Sequence, residues 1–81
     1  MRPETKSRKL YRLSPYEESL GPLQELMLEE DGLIACVGSI NLILPLEMEQ
    51  DLKPLLGQRI SILRTDIPEK IYLVRKLQKI N

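Results

Sequence analysis

The sequence predicts a mainly β domain: a small five-stranded barrel with a short helical insert. Three observations carry that reading. Short runs rich in Leu, Ile and Val are separated by turn signals, the pattern of strands joined by hairpins. Two of those signals, Asp31-Gly32 and Gly38-Ser39, are dipeptides that two-residue hairpin turns favour. Between the apolar runs, Met48, Leu52, Leu55 and Leu56 recur at helical spacing.

Each element follows in order. Residues 1–9 are charged and polar with one proline, which predicts a flexible basic tail. Residues 10–22 read as an N-terminal extension. Leu10–Leu13 suits a short extended segment. Ser14, Pro15 and Glu17 form a helix-start signature of cap, first-turn proline and capping-box acid, so a short helix is expected over 15–20. Gly21-Pro22 stops it. From residue 23 to 81 the chain reads as the barrel domain. Residues 23–30 admit two readings. Leu23, Leu26 and Met27 share a face if helical; Leu26 and Leu28 oppose Glu25, Met27 and Glu29 if extended. The strand is favoured, because a helix here ends on three acids at its negative pole. Asp31-Gly32 then serves as a hairpin turn.

Residues 33–37 and 40–46 form uncharged strands, which suits central positions covered on both faces. Glycine first in Gly38-Ser39 suits a type II′ turn between them. Pro54 divides the next segment into helical pieces at 47–52 and 54–56, and Gly57 caps them. In 58–65, Ile60 and Ile62 face one way and Arg59, Ser61 and Thr65 the other. In 70–77, Ile71, Leu73 and Leu77 are expected inward and Lys70, Tyr72 and Lys76 outward. By the same alternation Arg64 and Arg75 fall on the core side of their strands.

The order β-β-β-α-β-β is similar to that of an OB-like or SH3-like barrel. The similarity covers 23–77 and lies in element order alone. If 15–30 is helical, the alternative is an α+β domain with two hairpins.

Composition narrows the function classes. At 42% hydrophobic residues the chain has material for a core, dominated by Leu and Ile, since Phe and Trp are absent. The longest uncharged stretch, 33–46, is shorter than the roughly 20 residues of a membrane helix. No apolar signal core follows the basic N-terminus. With a lone cysteine, Cys36, a cytoplasmic setting is expected, and Cys36 reads as a packed, inert core thiol. There is no histidine, no glycine-rich phosphate loop and no nucleophile elbow. The carboxylates at 17–18, 29–31 and 47–51 read as a solvated acidic face. No enzyme, metal site or cofactor is expected.

Charge is sorted along the chain. Residues 1–12 are net +4, residues 13–51 carry nine acids and no base, and residues 52–81 are net +5. Such a domain has an acidic and a basic side. Arg59, Arg64, Lys70, Arg75 and Lys76 flank the last hairpin with Tyr72 among them, so single-stranded nucleic acid is one expected partner. The other reading is a protein-interaction module, either a homodimer or a small subunit of a larger complex. Outward Met27, Ile43, Leu63 and Val74 would leave apolar patches for it.

Overall fold

The structure, a computed structural model, describes residues 9–77. The expected tail at 1–9 therefore lies outside the described residues except for Lys9. Six strands form one sheet in the order β1-β4-β3-β2-β5-β6. They are β1 (Leu10–Tyr11), β2 (Glu18–Glu29), β3 (Gly32–Val37), β4 (Ile40–Leu44), β5 (Arg59–Arg64) and β6 (Tyr72–Lys76). The fold is mainly β, with one four-residue helix, α1 (Glu49–Leu52), between 3-10 turns at Leu46–Met48 and Lys53–Leu55. Among the described residues no helix is long and apolar enough to cross a membrane.

The long strand β2 organises the sheet. Its first half, Glu18–Pro22, pairs antiparallel with β5, and its second half, Leu23–Glu29, pairs antiparallel with β3. Between Leu23 and Glu25 the register shifts, so Gln24 is a bulge. The extra residue inverts the alternation. Ser19, Gly21 and Leu23 face the core before it, and Leu26 faces the core after it. At the crossing Leu23 is fully buried, and its N–H and C=O bond Gln58 and Gly57 at 2.8 Å each.

The inner face holds Leu23, Leu33, Ala35, Val37, Leu42, Leu44, Ile60 and Ile62, closed over by Leu13, Met48 and Leu52. Aliphatic burial carries the stability, at about 1.5–3 kcal/mol for each fully buried Leu or Ile. The helical segment supplies two of these contacts, so its short pieces are fixed by packing rather than by intrinsic helix strength.

The expected barrel does not close. Among the described residues no pairing joins β1 to β6, and the sheet stays open. Its first edge strand, β1, is two residues long and runs parallel to β4, where a short extended segment was expected. At the other end the helical segment faces β6 across a groove.

Three local expectations are corrected. No helix forms at 15–20. The capping contact is real, with the Ser14 N–H donating to the Glu17 carboxylate at 2.7 Å, but Tyr16 at φ +71° ends the turn at once. The Tyr16 N–H then bonds the Arg64 carbonyl, and the chain enters β2 through Gly21-Pro22 without stopping. The first hairpin turn is Glu30-Asp31, one residue earlier than expected, because Glu29 pairs with Gly32. The second is Gly38-Ser39 as expected, with Gly38 at φ +62°. Gly57 at φ +86° closes the helical segment as expected. In β6 the faces are reversed: Tyr72 and Val74, paired with Arg64 and Ile62, pack on the core. Leu73 and Arg75 therefore lie on the outer face.

Candidate functional site

The last hairpin is set by the 65–71 connection. Thr65 Oγ1 donates to the Lys70 carbonyl at 2.5 Å and accepts the Ile67 N–H at 3.0 Å, which fixes the 3-10 turn Pro68–Lys70 and the start of β6. This register divides the six expected binding residues. Arg59 and Arg75 are exposed on the outer face, at diagonal positions on neighbouring strands. Arg64 is on the inner side as alternation implied, half-buried, with Nη1 donating to the Leu13 carbonyl at 2.8 Å. Its guanidinium lies 5.6 Å from the centre of the Tyr72 ring, a cation–π distance. Arg64 Nε is buried and, among the described residues, unbonded. Tyr72 is half-buried against the core beneath Arg64, not outward among cations. Lys70 and Lys76 are exposed, Lys70 beside the groove and Lys76 opposite Ile60. The six residues do not converge on one surface.

The outer face carries apolar residues as well as charges. Met27, Ile34 and Ile43 sit side by side across β2, β3 and β4. Ile34 is 6% exposed yet stands apart from the inner core, so its neighbours on this outer row shield it. Ile43 extends over Gly32, where an added Cβ would lie 3.4 Å from its Cδ1. On the β2–β5–β6 side, Leu63 pairs with Leu73, and Leu20 is 56% exposed opposite Ser61. Glu18 accepts a hydrogen bond from the buried Ser61 hydroxyl there. Val74, expected outward, is inside. Cys36 is not a core residue either. It lies half-buried on the outer face between Glu25 and Asn41, with Sγ 3.6 Å from the Gly38 carbonyl. The uncharged run 33–37 hid which of its two faces was the core.

Between the helical segment and β6 lies an open groove. One hollow of about 380 Å³ is lined by Met48, Asp51, Leu55, Lys70, Tyr72 and Val74. A second, about 350 Å³, adjoins it and adds Glu47 and Glu69 to the rim. Asp51 and Met48 were not among the expected site residues. The clue was positional: the acidic segment ends at Asp51, on the insert that the element order sets beside the last strands.

The turn before β2 has its own electrostatics. Glu17 is held below the ordinary carboxylate range, first by the Ser14 N–H and then by the Tyr11 hydroxyl, which donates to it at 2.5 Å. Tyr11 is pushed above the usual phenol value by the same contact, and Tyr16 by a hydrogen bond with Asp66. Among the described residues no group of three or more Cys, Asp or Glu is placed to hold a metal ion. The chain matches no family model, no curated protein and no solved structure.

Proposed function

We propose that the chain is a non-enzymatic protein-interaction module that associates through the outer face of its sheet, with a second copy as the partner. One observation carries this: the outer face bears two apolar groups, Met27 and Ile43 flanking Ile34 towards one end of β2 and Leu20, Leu63 and Leu73 towards the other. Apolar side chains on the outer face of a sheet that no second layer covers among the described residues support a contact surface there. The charges support a self-partner. Glu25 and Glu29 on β2 and Arg59 and Arg75 on β5 and β6 share this outer side, and a two-fold axis brings one copy's arginines to the other's acids. A reducing cytoplasm suits the single, half-buried Cys36.

A second reading, single-stranded nucleic acid, is favoured by the diagonal pair Arg59 and Arg75 alone. The tyrosine that would stack a base is engaged by Arg64.

Light scattering at low and high salt tests the first reading. A dimer mass that persists in high salt is expected, and Ile43→Glu returns it to the monomer with an unchanged circular dichroism spectrum. A monomer at all concentrations overturns it. An oligonucleotide added to the same low-salt sample, where phosphate attraction is strongest, decides the second.

A further inference from the structure

β6 is the last strand of the sheet, and its hydrogen-bonding phase can be read from its ends. The Thr65 N–H bonds the Ile71 carbonyl at 2.7 Å, and the Leu77 N–H bonds the Arg59 carbonyl at 2.8 Å. In an antiparallel pair the bonded residues alternate, so 71, 73, 75 and 77 turn their backbone groups toward β5. Tyr72, Val74 and Lys76 turn theirs toward the open edge. Among the described residues these groups have no backbone partner. The same Tyr72 and Val74 send their side chains into the groove against Met48 and Leu55. Free backbone pairs and an apolar trench therefore run along one line.

Sheet edges of this length are ordinarily blocked by charge. Here Arg75 and Lys76 charge only the far end of the strand, while the trench along Tyr72 and Val74 is rimmed by Glu47, Asp51 and Glu69, with Lys70 the one cation among its lining residues. The rim is net acidic, so it selects a basic occupant.

We propose that the β6 edge and this groove form a docking site for an extended peptide whose groove-facing residues, every second one along the strand, are in turn apolar and Lys or Arg. The peptide adds a strand to β6, pairing with Tyr72, Val74 and Lys76. Every second side chain of the added strand faces the groove; of these, the apolar ones fill the trench and the basic ones reach Asp51 and Glu47. Of the residues lining this groove, Leu73 alone belongs to the outer-face contact, so loss of self-association by Ile43→Glu and loss of peptide binding by Asp51→Lys are read separately.

The test uses the full chain and a capped peptide, roughly seven residues long to span the strand, in which Val and Lys take turns at every second position with Thr between them. Amide exchange by nuclear magnetic resonance is the readout. The amides of Tyr72, Val74 and Lys76 are expected to exchange freely in the unbound protein and to become protected with peptide. Those of Leu73 and Arg75 stay as they were. Asp51→Lys weakens binding roughly tenfold, and Ile43→Glu leaves it intact. A peptide N-methylated on the face that meets β6 binds no longer. Three results overturn the proposal: no added protection at millimolar peptide, undiminished binding of the N-methylated peptide, or protection of Tyr72, Val74 and Lys76 already in the free chain. The last would mean that the chain itself or a second copy occupies the edge.

Discussion

Glu17 holds two donors at once, the Ser14 N–H and the Tyr11 hydroxyl, and so ties β1 to the entry of β2. Its carboxyl is easier to ionise in the folded chain than the ordinary value of 4.5. The stability it contributes is therefore complete above pH 4.5 and is lost as pH falls through the lowered folded value. Glu17→Gln should flatten the acid limb of the stability profile in that window. A limb of unchanged slope would show that the contact has no energetic role. Two glycines make a sharper contrast. Gly21 at φ +152° lies against the β3–β4 turn, and an added Cβ would stand 3.1 Å from the Gly38 Cα and N. Gly57 at φ +86° has open space around it. Alanine at either position costs about 1–3 kcal/mol in backbone strain. Only at Gly21 must neighbouring backbone also move, adding about 1–3 kcal/mol. Denaturant midpoints should fall clearly further for Gly21→Ala, and equal losses would refute the close approach.

At the scale of elements, the chain is legible where turn chemistry and polarity agree. Gly38-Ser39, Gly57 and the alternation of Ile60 and Ile62 each impose one conformation, and each is found where expected. Legibility fails where a local signal is outweighed by pairing. The Ser14–Glu17 cap forms, yet one turn of helix gains less than Glu18–Pro22 gains by pairing with β5. It fails again where apolar residues occupy both parities. Ile71, Tyr72, Leu73 and Val74 give no alternation to read, and the Thr65 turn decides the phase. The candidate site suffered from this second cause. Once β6 is turned over, Tyr72 leaves the cations and Arg75 joins Arg59. The Gln24 bulge is the third illegible feature. Its parity change is visible only when Leu23 and Leu26 are both known to be inside.

For the whole molecule, the sorted charge of the sequence becomes a surface with acids along β2 and the helical segment and arginines on β5 and β6. The strand that separates them also joins them. β2 pairs with β3 through one half and with β5 through the other, and its unbroken backbone through the Gln24 bulge, with Leu23 fully buried at the crossing, links the two sides. The two sides are therefore expected to unfold together. Pairing Glu18 with Leu63 also closes a long loop before any reward arrives, which slows formation of that half. Native-state amide exchange should report a single opening free energy for amides bonded on both sides of the Gln24 bulge, equal to that of global unfolding. Two distinct values, one for Glu18–Pro22 and one for Leu26–Glu29, would mean that β2 yields in halves. The kink would then act as a hinge between two folding units rather than as a splice within one.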